Sequence, residues 1–319
     1  MSRYHRRDFL RMGAALAASL GLPSGPSAVL ADGLERIFTK RVPVIWIQGL
    51  SCTGCSVSLL NSESPAVLQV LTEMISLTYH STVSAAQGGD VDKVLDRVGR
   101  GRDYLLIMEG AIPADMPEAC VIGGKPLEEL LEPLARNAAA VVAAGTCAAF
   151  GGVPGAEGNP TGAIGMQEFM TRRKIPVEKR LVNCPGCPVH SSCLVGTLAY
   201  VAARGYPSVI PNLLTPKLFY DHSVHDECPR FHFWEKDVFA AKFGDEGCLF
   251  KLGCLGPLSH TTCPRHQWNG GVNWCIRAAA PCLGCTSEHF AKRRDFPFYR
   301  KSELSGVARN TEAERGGKS

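Results

Sequence analysis

Sulfur dominates the chemistry this chain could do. It carries fourteen cysteines in 319 residues, most of them in recurring contexts. Cys52-Thr53-Gly54-Cys55 follows one apolar run, Cys147 a second, and Cys184-Pro185-Gly186-Cys187 a third. A dense C-terminal series then supplies His225, Cys228, Cys248, Cys254, Cys263, Cys275, Cys282 and Cys285. Iron–sulfur clusters are held mainly by thiolates, with histidine an occasional substitute that raises the potential. The order therefore fits a set of electron-carrying clusters better than a disulfide network.

The compartment decides how such cysteines are counted. Arg6-Arg7-Asp8-Phe9-Leu10-Arg11 reads as a twin-arginine export motif, followed by an apolar stretch from Met12 to Leu22 and a Pro23 to Pro26 breaker. A small-residue processing site falls after Ala31, so residues 1–31 read as a targeting segment outside the fold. Export usually means an oxidising compartment and disulfides. The twin-arginine route, however, carries folded, cofactor-loaded proteins, whose thiolates are already metal-bound when they meet oxidant. Roughly 290 remaining residues also bury a large core without covalent staples. The formal charge is +4, most of it in the first 31 residues, which leaves no electrostatic footprint for nucleic acid. No apolar run reaches the roughly 18 residues of a membrane span, and the tail 293–319 is polar and charged.

Elements that position the cysteines follow from periodicity. Val42–Gln48, Ile75–His80, Tyr104–Glu109, Ala140–Gly145 and Leu181–Asn183 read as short buried strands. Helical patterns separate them over Pro65–Met74, Val91–Arg100, Glu128–Asn137 and Cys193–Arg204, the last capped by Gly205. Alternation of this kind predicts an α/β fold with a parallel sheet over about 40–210. Ligands gather at the carboxyl ends of strands in such sheets, where Cys52/Cys55, Cys147 and Cys184/Cys187 all fall. From Pro211 to about residue 292, regular periodicity fades while Gly, Pro, Cys and aromatics accumulate. Bound clusters would staple this small irregular domain.

Eight ordered motifs carry a specific resemblance: WIQGLSCTGCSVSLLNS (Trp46–Ser62), EGAIP (Glu109–Pro113), GTCAAFGG (Gly145–Gly152), NCPGCP (Asn183–Pro188), HDEC (His225–Cys228), FGDEGC (Phe243–Cys248), KLGCLGP (Lys251–Pro257) and PCLGC (Pro281–Cys285). In this order the chain resembles small subunits of [NiFe]-hydrogenases from about residue 42 to 290. The resemblance implies a flavodoxin-like domain with a proximal [4Fe-4S] cluster on Cys52, Cys55, Cys147 and Cys187. Spacing alone does not separate Cys184 from Cys187; the choice of Cys187 rests on the resemblance. Oxygen-tolerant relatives add two thiolates where this chain has Gly54 and Gly152, so an ordinary cubane is expected. The distal [4Fe-4S] cluster maps to His225, Cys228, Cys248 and Cys254, and a helical turn would place His225 and Cys228 on one face. Asp226 and Glu227 read as surface.

The medial site departs from the commonest pattern. Many relatives have a proline between the first and second thiolates and hold a [3Fe-4S] cluster on three cysteines. Here Cys263, Cys282 and Cys285 are joined by Cys275, which implies a [4Fe-4S] medial cluster; with Cys275 a free thiol, the cluster would be [3Fe-4S]. Cys120, Cys184 and Cys193 are left as structural thiols or disulfide partners.

The resemblance implies an electron-transfer subunit without nickel, paired with a large subunit that oxidises H2. Electrons would pass proximal to medial to distal and on to a c-type cytochrome or a membrane cytochrome b or quinone-linked subunit. The expected location is the periplasm or the outer face of the cytoplasmic membrane. Glu109–Pro113 reads as a loop under the proximal cluster against the large subunit. Trp46, Trp268 and Trp274 read as packing residues. Three other readings share features with this one: a hydrogen-sensing complex, the related cluster subunit of quinone reductases, and a zinc-stapled binding protein. The export segment argues against the first, and the His-containing C-terminal region against the second. The colour of bound iron separates the third.

Overall fold

In the computed structural model the described residues are 5–19, 25–40, 42–63, 65–66, 69 and 76–292. The expected helix over 65–74 lies largely outside them, as do the breaker around Pro23 and the polar tail.

Five strands form one parallel sheet: β1 (Pro43–Gln48), β2 (Ser76–His80), β3 (Leu105–Glu109), β4 (Ala140–Ala144) and β5 (Leu181–Cys184). Their spatial order is β2-β1-β3-β4-β5, the flavodoxin-like arrangement, with strand order reversing between β1 and β3. Every pairing is parallel, with β1 in register from Val44 opposite Leu105 to Gln48 opposite Glu109.

Near-continuous apolar strands are what a sheet covered on both faces needs. Alternate residues segregate accordingly. Val44, Trp46, Leu105, Ile107, Val142 and Val182 face one buried layer. Ile45, Ile47, Leu106, Met108, Val141 and Leu181 face the other. The second layer is covered by α4 (Gly89–Gly99), α5 (Leu127–Asn137) and α7 (Met166–Arg172), whose Val91, Leu95, Leu127, Leu131, Leu134 and Phe169 point inward. Between them in sequence, α3 (Gly54–Leu60) follows β1 and α6 (Thr146–Phe150) follows β4. The first layer is covered by α8 (Ser191–Arg204), ended by Gly205 at φ 77°.

Outside α8 lies a feature that sequence reasoning placed outside the fold. Two helices, α1 (Arg6–Ser19) and α2 (Gly25–Lys40), pack on each other and on α8. Their apolar stripes supply Phe9, Leu16, Leu30 and Leu34 to the same core as Trp46 and Leu198. A hydrophobic helix face is buried wherever a complementary surface exists, and small residues on α8 make that surface. A Cβ on Gly33 would collide with the Ala199 carbonyl, so α2 and α8 touch backbone to backbone. Arg6 pairs with Glu35 at 3.1 Å and Asp32 at 3.4 Å between α1 and α2, exposed contacts worth at most about 1 kcal/mol. The expected processing site after Ala31 is therefore inside α2, with Ala31 buried.

After Tyr220 regular structure is reduced to short turns of helix, as composition predicted, including α9 (Cys263–His266). A small third core of Val224, Ala240, Leu249, Trp274, Ile276 and Cys282 holds this part together. No helix among the described residues is long and apolar enough to cross a membrane.

Candidate iron–sulfur cluster sites

Three loops at the carboxyl edge of the sheet converge beside the β1/β3 crossover. After β1 the chain turns through Ser51 and Cys52, with Thr53 in the left-handed region, and enters α3 at Gly54. Cys147 sits in the first turn of α6 after β4, and Cys187 in the loop after β5. The four sulfurs are close enough to feel one another: Cys55 is influenced by Cys147 and Cys187, Cys147 by Cys52 and Cys187, and Cys187 by Cys52. Cys184 is not part of this group. As the last residue of β5 it points into the core, where its thiol meets Thr197 Oγ1 at 3.4 Å.

Close approach explains two glycines. Gly145 has φ 88°, and a Cβ there would collide with Cys55 Sγ. Gly152 has φ 50°, and a Cβ there would lie 2.8 Å from Cys147 Sγ. Both positions need a residue without a side chain, in a backbone region that only glycine enters freely.

Burial pushes the Cys147 thiol up to about 12 and Cys55 well above its ordinary value. Backbone amides of Val153 and Val189 oppose this by donating to the two sulfurs. Burial thus disfavours thiolates at Cys55 and Cys147 unless a cation compensates, which a cluster's iron would supply. No disulfide joins any of the fourteen cysteines. Donor set, amide donors and close approach all fit a four-thiolate cluster.

Glu109 was legible only as part of a loop motif, but it organises the site. It ends β3, is 1% exposed, and its carboxylate accepts from six donors. Trp46 Nε1 donates at 3.0 Å, Gln48 Nε2 and Ser51 Oγ at 3.2 Å, the Cys55 amide at 3.0 Å and the Ser56 amide at 3.3 Å, with Ser56 Oγ closer still. Ser56 Oγ also meets His80 Nε2 at 3.0 Å. One buried anion thus ties β1, the Cys52–Cys55 loop and the start of α3 together. The clue in the sequence was a charged residue ending a wholly apolar strand. Glu109→Gln keeps the shape but replaces one acceptor oxygen with a donor, leaving several buried donors unmatched. We expect it to destabilise the protein by about 2–3 kcal/mol, read as a lower thermal unfolding midpoint. An unchanged midpoint would show that the carboxylate does not hold the loop.

The second group lies in the irregular region. His225, Cys228, Cys248 and Cys254 line one small cavity with Arg230, and Cys228 feels the charges of Cys254 and Cys248. The expected helical turn at 225–228 is instead a hydrogen-bonded turn, Cys228 N donating to His225 O at 3.2 Å, because Pro229 follows immediately. His225 is held edge-on by Phe231 and Trp234, ring centroids 5.0 and 5.1 Å away. Arg230 Nη1 donates to the carbonyls of Asp245 (3.0 Å) and Gly247 (2.7 Å), fixing the turn that presents Cys248. Two neighbours read as plain surface have partners: Glu227 pairs with Arg265, and Asp226 caps the Ser223 amide at 3.0 Å.

The third group is Cys263, Cys275, Cys282 and Cys285, where Cys285 is influenced by the other three. Cys275 is exposed and sits with this group and beside Cys254. Burial raises Cys282 to about 11 and Cys285 higher still.

The groups are joined in series. Thr146 Oγ1 donates to the Cys285 carbonyl, and the Cys187 amide donates to the Cys285 thiol, linking the first group to the third. The Cys282 amide donates to Cys254 Sγ at 3.4 Å, linking the third to the second.

This combination of a flavodoxin-like sheet with a cysteine-rich appendage has known counterparts. Residues 220–299 match the C-terminal family of the NiFe/NiFeSe hydrogenase small subunit, and residues 52–201 match the family of the NADH ubiquinone oxidoreductase, 20 Kd subunit. The chain therefore belongs to the hydrogenase small subunits. It is 37% identical over 318 residues to the periplasmic [NiFeSe] hydrogenase small subunit of Desulfomicrobium baculatum, covering 92% of this chain and 98% of that one. It is likewise 37% identical over 296 residues to the hydrogenase-2 small chain of Escherichia coli K12, covering 89% and 77%. Among solved structures it superposes on the recombinant [NiFeSe] hydrogenase of Desulfovibrio vulgaris Hildenborough with a TM-score of 0.74 at 36% identity, covering 82% of this chain and 98% of that one. The quinone-reductase reading accounts for the sheet domain alone; the C-terminal family match accounts for the rest.

Proposed function

We propose that this chain is the electron-transfer subunit of a hydrogenase heterodimer, taking electrons from H2 oxidation at a nickel-bearing large subunit. The observation that carries it is the serial arrangement of three ligand groups, joined through Cys187–Cys285 and Cys282–Cys254. Cys52, Cys55, Cys147 and Cys187 hold a proximal [4Fe-4S] cluster; Cys263, Cys275, Cys282 and Cys285 a medial [4Fe-4S]; and His225, Cys228, Cys248 and Cys254 a distal [4Fe-4S]. Bound clusters supply one-electron chemistry.

The residues of the chain set how well that chemistry runs. Amides of Val153, Val189, Cys187, Arg230 and Gly284 donate to ligand sulfurs. Such donors stabilise the more negative state and adjust the potential. Glu109 presets the Cys52–Cys55 loop before any metal arrives. Burial of Cys55, Cys248 and Cys282 keeps water from the sulfurs. From the distal site electrons leave for a c-type cytochrome or a membrane cytochrome b or quinone-linked subunit. Export by the twin-arginine route delivers the complex to the periplasm, as the name of the D. baculatum relative says of that protein.

Co-expression and purification with a hydrogenase large subunit tests this reading. The expected complex is brown, holds about twelve irons in this subunit, and bleaches near 400 nm under H2. A colourless chain that purifies alone, or one holding zinc in place of iron, would overturn it.

A further inference from the structure

One cluster of ligand-type side chains lies outside all three groups. His190 precedes α8, Cys193 is in its first turn, and His266 ends α9. One ligand atom from each lies within 4.8 Å of the other two. The imidazoles approach with ring centroids 3.8 Å apart.

Several independent features point to a ligand between them. His266 Nδ1 is engaged by Thr262 Oγ1, which fixes the ring and leaves Nε2 as its free nitrogen. That Nε2 is fully buried and meets no hydrogen-bond partner. A buried polar atom of this kind is normally paired. Thr262 Oγ1 also lies 3.8 Å from Cys193 Sγ, so one hydroxyl braces two of the three donors. His190 is braced in turn, its ring N–H meeting the Gln267 backbone and its face packed edge-on against Trp268, with the Ser192 amide 3.3 Å from Nδ1. Ligand histidines are generally oriented by such outer hydrogen bonds. Burial holds His190 down to about 4 and His266 lower still, which favours neutral rings; His266 Nε2 has its lone pair free, and the His190 Nδ1 lone pair would pass from the Ser192 amide to an ion. Both line an open groove with Ser58, Asn61 and Glu63, which gives an ion a path from solvent.

We propose that His190, Cys193 and His266 form a mononuclear zinc site, with water from the groove as the fourth ligand. Two imidazoles and one thiolate suit this borderline-soft ion, which accepts mixed nitrogen and sulfur ligands in tetrahedral sites. On binding, the Cys193 thiol gives its proton to solvent and its sulfur bonds the ion; no electron is exchanged. The site would clamp α8 of the sheet domain to α9, the turn that also carries the medial ligand Cys263. Zinc thus serves as a structural staple between the two domains.

The test uses the assembled heterodimer with its full iron complement, freed of loose metal with a chelator and titrated with Zn2+ alone. Metal analysis should show one zinc retained with iron unchanged, and zinc X-ray absorption should show two nitrogens and one sulfur. Cys193→Ser and His266→Gln should each lose the zinc while keeping iron, whereas the exposed His289→Ala keeps it. No retained zinc, an all-sulfur zinc environment, or both ligand variants binding zinc like the parent would overturn the proposal. Should a variant fail to assemble, the absorption spectrum of the parent protein decides.

Discussion

Cys147→Ser is expected to cut H2 oxidation with an external electron acceptor by on the order of a hundredfold or more, while hydrogen–deuterium exchange at the large subunit persists. Cys147 is the proposed ligand from the turn after β4, and it sits in electrostatic contact with Cys52 and Cys187 from the two other loops. A serine hydroxyl is a far weaker iron ligand, and no other thiol reaches this position, since Cys184 is turned into the core beside Thr197. Loss of the first carrier separates bond cleavage from electron delivery. Exchange measured by mass spectrometry reports the former, and dye reduction the latter. Dye reduction at the parental rate would remove Cys147 from the electron path.

Cys275→Ala should have the second-largest effect, on the medial site. The parent complex should lack a stoichiometric oxidised three-iron signal in electron paramagnetic resonance. The variant should gain one, lose about one iron, and shift the medial potential by on the order of 100 mV, since cluster type is a main determinant. The geometry behind this is the grouping of Cys275 with Cys263, Cys282 and Cys285, each of which is close to it in space. Cys275 is exposed, so it would hold a cluster on its solvent side. A parent protein already showing the three-iron signal in full would refute a four-iron medial site.

How much of this was readable in advance varied with the kind of physics involved. The strands were legible because both faces of a parallel sheet are buried, so each reads as an unbroken apolar run; β1, β3 and β4 differ from expectation by a single residue at an end. The carboxyl-edge placement of Cys52, Cys55 and Cys147 followed from strand order alone. Cys184 against Cys187 was not decidable from spacing, because only the pleat of β5 reveals that Cys184 faces inward. Glu109 was underestimated since its six donors come from residues spread between Trp46 and Ser56, a convergence set by the β1–β3 register. The His190–Cys193–His266 group was invisible for the same reason: its third member comes from the irregular region, about seventy residues further along the chain. The leading helices read as a leader because a stretch hydrophobic enough for export is also hydrophobic enough to bury.

The packing of α1 and α2 bears on the proposed processing after Ala31. A peptidase binds its substrate as an extended strand, yet the proposed processing site after Ala31 lies mid-helix, with Ala31 against Gly13 of α1 and nearby Gly33 against Ala199. Cutting there first requires the leader to peel away and unwind, removing Phe9, Leu16, Leu30 and Leu34 from cover at a cost of roughly 1.5–3 kcal/mol each as an upper bound. Cleavage would then follow the population of this opened form rather than the local recognition sequence alone. Trimming speed would become a readout of how firmly the leader grips its own cargo.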